Sequence, residues 1–234
     1  MVNKIAASIA QALAEVKDGS TVLIGGFGTS GIPGELIAGL IAQGAKDLTV
    51  VNNNAGNADH GLAALLKTGR VRKIICSFPR QVDSWVFDEL YRSGKLELEL
   101  VPQGNLAERM RAAGAGIGAF FCPTAWGTEL AKGKETREIG GKQYVLEYPI
   151  HGDVALIKAE AGDRWGNLVY RKAARNFGPV MATAAKMTVA TVFEIKELGE
   201  LDPEAIVTPG IYVSKLVQIP RVATQAGGFK KEAA

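Results

Sequence analysis

Cysteine and histidine are both scarce in this sequence of 234 residues, which holds two of each. Cys76 and Cys122 lie far apart without a Cys-x-x-Cys spacing, and neither His60 nor His151 forms a cluster with them. A disulfide scaffold needs several paired cysteines, and a structural zinc site needs four clustered ligands. Both classes of protein are therefore excluded.

The sequence also lacks a long hydrophobic run and a block of basic residues. No stretch approaches the roughly 18 to 20 uninterrupted apolar residues that cross a bilayer. Glu15, Lys17 and Asp18 occupy the region in which a signal peptide has its small-residue cleavage site, so we expect a cytoplasmic protein. Lys and Arg total 27 against 24 Asp and Glu, a net charge of +3, which disfavours nucleic acid as a partner.

The composition of the sequence is that of a globular protein, except that glycine is more frequent than usual. Hydrophobic residues make up 47% and charged residues 22%, which is typical of such proteins. The 28 glycines among 234 residues are more than the usual glycine share of about 7% would give. They fall at particular turns and not in a low-complexity tract, a pattern that indicates backbone approaching a ligand closely.

Short apolar strands alternate with helices through the first half of the chain. The predicted helices occupy residues 5–16, 33–43, 61–68 and 83–92, and the predicted strands occupy residues 21–24, 48–52, 71–78 and 96–101. Such alternation implies right-handed βαβ crossovers and a parallel sheet that is covered on both faces.

The second half has a different pattern from about residue 137. Two strands are predicted around the Gly140-Gly141 turn, with further strands at 154–158 and 168–171 in a mixed extension. A helix near 180–186 and strands near 188–194 and 211–217 could rejoin the parallel sheet. We therefore predict an α/β fold, with an open, mostly parallel sheet, helices on both faces and a mixed β extension in the second half. Residues 1–220 are expected to form one domain and residues 221–234 a flexible C-terminal tail.

A glycine-rich loop follows the first predicted strand, with the sequence Gly25-Gly26-Phe27-Gly28-Thr29-Ser30-Gly31. Open α/β sheets bind ligands at this edge, where uncovered amides and a helix N-terminus can hold an anion. A tight turn without a ligand is the alternative. The loop also matches Gly-x-Gly-x-x-Gly, so a nicotinamide-dependent dehydrogenase is an alternative of another class, although the second strand lacks the acidic residue of that motif.

Uncharged amides follow two other predicted strands at the same edge. Asn52, Asn53 and Asn54 end the second strand, although asparagine disfavours strands, and Gln103 follows the fourth. These side chains could donate hydrogen bonds to a carbonyl or a carboxylate. An Asx turn that closes the strand is the alternative for the asparagines.

The reactive side chains in the sequence show no pairing of a catalytic nucleophile with a general base. Cys76 lies in the apolar run 74–78, which is typical of a small core residue, and Cys122 is similar. His60 and His151 are isolated and are expected to be surface or hydrogen-bonded residues.

Several longer motifs resemble one family. Asp-Gly, an apolar run and Gly-Gly-Phe-x-x-x-Gly-x-Pro stand at residues 18–33, and further matches lie at 53–56, 102–109, 127–128, 166–167 and 170–177. Over the chain from the first helix to about residue 217, the sequence resembles the alpha (A) subunit of the class I 3-oxoacid coenzyme A transferases.

The resemblance implies transfer of coenzyme A from an acyl-CoA donor to a free carboxylate. In this family a glutamate attacks the thioester, and it lies in a Ser-Glu-Asn-Gly stretch of the beta (B) subunit. Our sequence contains no such stretch, so we expect the partner to be a B subunit, in a heterotetramer of two A and two B chains. Coenzyme A is expected as a substrate, with no tightly bound cofactor and no metal.

The resemblance also assigns supporting roles to residues of this chain. Gln103, with Asn53 and Asn54 near it, is expected to line the shared site and to hold the reacting carbonyl or the acceptor carboxylate. The loop from Gly25 to Gly31 is expected to contribute to coenzyme A binding.

The only indication of which acid accepts coenzyme A is how closely this sequence matches different members of the family. Stretches at 76–81, 83–92, 133–138 and 163–167 are more similar to family members that use succinyl-CoA and 3-oxoadipate than to those that act on acetoacetate. Transfer to acetoacetate is the alternative within the family, and a coenzyme A-binding regulatory module is a third possibility. Arg80 or Arg109 could meet a second substrate carboxylate.

Overall fold

The structure, a computed structural model, describes residues 2–221. Its helices are α1 (Ile9–Leu13), α2 (Gly34–Gln43), α3 (Leu62–Lys67), α4 (Trp85–Arg92), α5 (Gln103–Gly114) and α6 (Gly178–Ala184). Its strands are β1 (Thr21–Ile24), β2 (Leu48–Val51), β3 (Val71–Cys76), β4 (Glu97–Leu100), β5 (Phe120–Cys122), β6 (Thr136–Ile139), β7 (Lys142–Glu147), β8 (Gly152–Lys158), β9 (Ala161–Asp163), β10 (Leu168–Val169), β11 (Ala185–Val192), β12 (Glu194–Lys196) and β13 (Lys215–Gln218). Short 3₁₀ helices lie at Glu129–Ala131, Lys172–Arg175, Pro203–Ala205 and Gly210–Tyr212. Apart from Arg221, the predicted tail lies outside the described residues.

Seven strands form a parallel sheet in the order β13-β11-β8-β1-β2-β3-β4. The chain moves outward in one direction from β1 to β4, and later adds β8, β11 and β13 on the other side of β1. Strand order therefore reverses at β1. In open α/β sheets, ligands bind beyond the carboxyl ends of the strands at such a reversal.

The two faces of the sheet carry separate apolar cores. On one face, Leu13, Leu36 and Phe87 from three of the first four helices pack with strand residues such as Val22. On the other face, helices α5 and α6 contribute residues that include Leu106 and Met181. Neighbouring residues of β1 point to opposite cores because strand side chains alternate. The predicted α/β fold with helices on both faces is confirmed.

Glycines end helices where the sequence predicts it. Gly44 follows α2 with φ 97°, and its N–H donates to Leu40 O over 3.2 Å. Gly69 lies just beyond α3 with φ 71°. A left-handed residue satisfies the last carbonyls of a helix, and glycine adopts that conformation without a Cβ clash.

The first helix is shorter than predicted. Ser8 caps it by accepting a hydrogen bond from Gln11 N–H at its side-chain oxygen (3.1 Å). The preceding residues belong to the sheet edge, since Ala6 N–H donates to Leu216 O over 2.8 Å. Ile5 was therefore wrongly predicted as helical, because its spacing fits a helix while its backbone pairs with β13.

Strand β8 lies in the centre of the main sheet and not in the mixed extension that we predicted for it. It pairs in parallel with both β1 and β11, as at Leu23 and Ala155. Residues 154–157 are apolar and buried, which is the pattern of a parallel strand covered on both faces. The position of this strand depends on pairing with a segment far away in the sequence.

Two small sheets make up the mixed extension. The predicted hairpin around Gly140-Gly141 is confirmed as β6 and β7, and β5 pairs with β7 on its other side. Strands β10, β9 and β12 form the second small sheet. No helix within residues 2–221 is long and apolar enough to span a membrane.

Candidate active site

A cleft with a volume of about 470 Å³ lies at the carboxyl ends of β1 to β4. We call it the amide cleft, and it is lined by Phe27, Gly28, Asn53, Ser77, Phe78, Gln81 and Gln103. Phe27 and Phe78 are 49% and 61% exposed, although large apolar side chains usually find cover. The cleft therefore combines an apolar rim with uncharged polar groups.

Asn53 and Gln103 meet in this cleft. Gln103 is the first residue of α5, and its Nε2 donates to Asn53 Oδ1 over 2.7 Å. Ser77 Oγ, which follows β3, donates to the same oxygen over 2.7 Å. Asn53 is only 4% exposed, so these two bonds fix its amide plane. Each NH₂ group carries two hydrogens, which leaves N–H groups on both amides for a further acceptor.

The three asparagines after β2 have three different positions. Asn52 Nδ2 donates to Ile24 O over 2.6 Å, which ties the end of β2 to the end of β1. Asn54 Oδ1 accepts from Gly56 N–H over 2.8 Å in an Asx turn. Of the three, Asn53 is the residue whose side chain hydrogen-bonds to Gln103. Asn54 lines an adjoining cavity instead.

Three glycines of the loop after β1 are in left-handed conformations. The φ angles are 116° at Gly26, 57° at Gly28 and 72° at Gly31. A Cβ at Gly26 would lie 2.3 Å from Ile32 Cδ1, and one at Gly31 would lie 2.4 Å from Ala174 O. A Cβ at Gly28 would meet nothing within 4 Å, and this residue lines the cleft. Gly26 and Gly31 are thus required for packing, whereas Gly28 keeps the cleft wall open.

The backbone of the loop satisfies part of its own hydrogen-bonding capacity. Phe27 N–H donates to Ser30 O over 2.9 Å, and Ser30 N–H donates back to Phe27 O over 3.0 Å. Within residues 2–221, the loop amides without an acceptor are those of Gly28, Thr29 and Gly31. These three amides are therefore the ones available for the anion binding that we predict for the loop.

Asn176 holds the loop in place, a role that the sequence patterns did not reveal. Its Oδ1 accepts from Gly26 N–H over 3.1 Å, and its Nδ2 donates to Ser30 O over 3.0 Å. Asn176 lies 150 residues from Gly26 and two residues before the start of α6. Its place in the family motif at 170–177 was the available signal, but spacing along the chain gives no indication of the contact.

Neither cysteine is among the residues that line the amide cleft. Cys76 is fully buried at the end of β3, and burial raises the pKa of its thiol to about 12. Cys122 differs from our prediction of a core residue, because it is half-buried and its Sγ donates to Asn105 Oδ1 over 3.2 Å. Within residues 2–221, no group of three or more His, Cys, Asp or Glu side chains could hold a metal ion.

The two candidate arginines have different surroundings. Arg109 is 13% exposed, and its guanidinium donates to Glu99 Oε1 over 2.8 Å and to Tyr148 O over 2.7 Å. These contacts link α5 to β4 and to the segment after β7, so the Arg109 guanidinium is engaged within the fold. Arg80 is more exposed and donates to Asp88 Oδ1 over 2.6 Å.

Related sequences carry a consistent set of names. The chain is 66% identical over 226 residues to the A subunit of 3-oxoadipate CoA-transferase of Pseudomonas putida, covering 97% of this chain and 98% of the relative. It is 63% identical to the protein of the same name from Acinetobacter baylyi, covering 97% and 99%. The A subunit of a probable succinyl-CoA:3-ketoacid coenzyme A transferase of Bacillus subtilis is 50% identical, covering 92% and 89%.

Solved structures share the fold. An acyl-CoA transferase of E. coli O157:H7, in a thioester complex with CoA, superposes with a TM-score of 0.82 at 21% identity. Our chain is covered to 97% and spans about half, 49%, of that longer chain. Glutaconate coenzyme A-transferase of Acidaminococcus fermentans gives a TM-score of 0.82 at 23% identity, covering 93% of this chain and 76% of that one. Residues 6–218 match the family described as Coenzyme A transferase. The chain therefore belongs to the coenzyme A transferase family.

Proposed function

We propose that this chain is the A subunit of a transferase that moves coenzyme A from succinyl-CoA to 3-oxoadipate, giving 3-oxoadipyl-CoA and succinate. The observation that carries the proposal is the identity of 66% and 63%, over nearly the whole chain, to two subunits named for 3-oxoadipate. The relative named for 3-ketoacids is less similar, at 50%.

The proposed chemistry needs a carboxylate nucleophile from a B subunit. A glutamate oxygen attacks the thioester carbonyl, which releases the thiolate of coenzyme A and leaves a mixed anhydride. The thiolate then attacks the glutamyl carbonyl, which releases succinate and leaves an enzyme-CoA thioester. The acceptor carboxylate takes up coenzyme A by the reverse steps. Each addition places negative charge on a carbonyl oxygen.

Gln103 and Asn53 are suited to stabilise that charge. Their amides are fixed against each other at 2.7 Å, so they are organised before the substrate arrives. Preorganised donors at a developing oxyanion typically contribute about 3 to 4 kcal/mol of transition-state stabilisation each. In the proposed site, the free amides of Gly28, Thr29 and Gly31 contribute to holding coenzyme A.

The biological setting is part of the same proposal. We place the enzyme in the cytoplasm as a heterotetramer of two A and two B chains, in the breakdown of aromatic compounds. The exposed Phe27 and Phe78 on the rim of the amide cleft support a partner that covers this edge.

The test is an acceptor panel with the coexpressed A and B subunits. Succinyl-CoA is the donor, and kcat/KM is measured for 3-oxoadipate and for acetoacetate by following the acyl-CoA product. A preference of at least about tenfold for 3-oxoadipate is expected, from the binding of one additional polar group. A preference for acetoacetate would replace the proposed acceptor by the alternative one. NADH binding without any transfer would favour a dehydrogenase.

A further inference from the structure

A second cavity adjoins the amide cleft and shares Gly28 and Gln81 with it. Its volume is about 350 Å³. We call it the side cavity, and its walls include Ile32, Asn54, His60 and Leu62. The side cavity therefore lies directly beside the amide cleft.

The walls of the side cavity combine two kinds of chemistry. Ile32 and Leu62 are apolar and suit methylene groups, whereas Asn54 and His60 carry N–H groups that suit an oxygen acceptor. None of the residues that line it is a lysine, an arginine or an acid. A short alkyl arm that ends in a carboxylate matches this combination of apolar wall and uncharged donors.

Asn54 contains an unsatisfied buried donor. The residue is 2% exposed, and its Oδ1 is occupied by Gly56 N–H at 2.8 Å. Its Nδ2 is buried and has no hydrogen-bond partner within the part of the chain that the structure describes. A buried polar group without a partner typically costs about 1 to 3 kcal/mol, and such exceptions are few in native proteins. Because Nδ2 is covered in this structure, a ligand oxygen in the side cavity would supply the missing acceptor once the covering side chains shift aside.

The loop that carries Asn54 and His60 is held under strain. Ala58 has φ 51°, a conformation that residues other than glycine rarely adopt. Asn57 Oδ1 accepts from Asp83 N–H over 2.8 Å, and Ser84 Oγ donates to Gly56 O over 3.3 Å. Backbone strain of this kind persists where surrounding contacts fix it, and it is concentrated at binding sites. The side cavity is thus a built feature and not a gap between mobile loops.

We propose that the side cavity binds the distal carboxylate of a dicarboxylic substrate, with Asn54 and His60 as residues that determine specificity. This inference rests on the proposed function, since 3-oxoadipate carries a second carboxylate at the end of an alkyl arm. Acetoacetate ends in a methyl group and leaves the donors without an acceptor. The succinyl group of the donor also ends in a carboxylate on an alkyl arm. The test therefore has to distinguish an effect on the donor from an effect on the acceptor.

The test compares 3-oxoadipate with 3-oxohexanoate, which has a methyl group in place of the distal carboxylate. Asn54→Asp keeps the oxygen that accepts from Gly56 and replaces the unpaired NH₂ by an oxygen, which repels a carboxylate. We expect kcat/KM for 3-oxoadipate to fall roughly 10- to 100-fold, the loss of one hydrogen bond to a charged group. For 3-oxohexanoate we expect less than about a threefold change.

A second variant replaces a surface residue and leaves the protein interior unchanged. His60 is exposed, and His60→Ala is expected to lower kcat/KM for 3-oxoadipate by roughly three- to tenfold, with His60→Gln restoring part of it. His151→Ala is the matched control, because this second exposed histidine lies before β8 at the opposite edge of the sheet.

The outcomes separate the two proposals. A rise in KM for succinyl-CoA with both acceptors supports the carboxylate site but assigns it to the donor. Equal losses for 3-oxoadipate and 3-oxohexanoate, or no loss in either variant, overturn the side-cavity proposal while the transferase function stands. A wild-type complex without any transfer to 3-oxoadipate overturns both.

Discussion

The hydrogen bond between Gln103 and Asn53 joins side chains that are 50 residues apart in the sequence and adjacent at the sheet edge. Both are uncharged amides. A neutral donor interacts weakly with the neutral thioester of the ground state and strongly with the oxyanion of the transition state. This difference is what a supporting residue needs in order to raise kcat.

Replacing Gln103 by Ala tests this role. We expect kcat to fall roughly tenfold to a thousandfold, because one oxyanion donor is lost. Steady-state kinetics of the complex of both subunits provide the measurement, with Gln143→Ala on β7 as the control. A change confined to KM would contradict oxyanion stabilisation and reduce Gln103 to a substrate-positioning residue.

A pair of glycine variants separates backbone strain from obstruction of the cleft. Gly28 (φ 57°) and Gly69 (φ 71°) both have space for a Cβ, but only Gly28 lines the cleft. Alanine at either position should cost about 1 to 2 kcal/mol of unfolding free energy. Only Gly28→Ala should also reduce transfer activity. Equal activity in the two variants would remove the loop from the site.

The two cysteines should differ in reactivity toward an aromatic disulfide reagent at about pH 8. Burial raises the pKa of Cys76 to about 12, so its thiol stays protonated and covered, whereas Cys122 is half-buried. We expect one reactive thiol in the native isolated chain and two after unfolding. Loss of the native reaction in Cys76→Ser, with the reaction retained in Cys122→Ser, would reverse this assignment.

At the scale of elements, a charged network joins β3, β4 and α5. Glu99 Oε2 lies 2.8 Å from Lys73 Nζ, and Glu99 Oε1 accepts from Arg109 over 2.8 Å. Burial alone would raise the pKa of Glu99, but the hydrogen bonds from Lys73 and Arg109 outweigh it and lower that pKa. The network ties the middle of α5, at Arg109, to β4 and β3.

This network makes a pH-dependent contribution to stability. Because the pKa of Glu99 is lower in the folded state, its stabilisation is present above the ordinary glutamate pKa and is lost as the pH falls through the folded value. Glu99→Gln should lower the free energy of unfolding by roughly 1 to 2 kcal/mol at neutral pH, with a smaller deficit at about pH 4. Urea unfolding at both pH values is the measurement.

The control for Glu99 lies on the helix next to it. Glu108 pairs with Arg111 over 2.7 Å in an exposed ion pair, so Glu108→Gln should stay within about 0.5 kcal/mol of the wild type. A deficit for Glu99→Gln that does not change with pH would show that the carboxylate charge is not what stabilises this region.

Local sequence signals predicted the elements that depend on neighbouring residues. The predicted β1 matches the structure over Thr21–Ile24, and α2 ends at Gln43 as expected, because hydrophobic spacing and glycine stops are local. The central position of β8 and the tether from Asn176 to the glycine loop were missed. Both depend on contacts between distant segments, for which periodicity gives no information.

The residue types of the site were predictable, but their partners were not. Gln103 and the asparagines were recognised as amides at one sheet edge, and the structure places Asn53 and Gln103 together. The three consecutive asparagines make different contacts because of the turn geometry after β2. The sequence gives no indication that Asn52 faces β1 or that Asn54 faces the side cavity.

At the scale of the whole molecule, the amide cleft is half of a proposed site. It offers hydrogen-bond donors, an apolar rim and an adjoining cavity, all at the edge where strand order reverses. The polar groups that line it are amides and a hydroxyl, none of which replaces the carboxylate nucleophile of the proposed reaction. The proposed reaction therefore requires that a second chain bring that carboxylate to the Gln103 side of the sheet.

The most direct measurement traps the covalent intermediate. The complex of A and B subunits is incubated with succinyl-CoA without an acceptor, and the intact masses of both chains are recorded beside those of this chain treated alone. We predict a coenzyme A adduct on the B subunit, none on this chain, and transfer activity only in the complex. An adduct on this chain, or turnover by this chain alone, would contradict the split site.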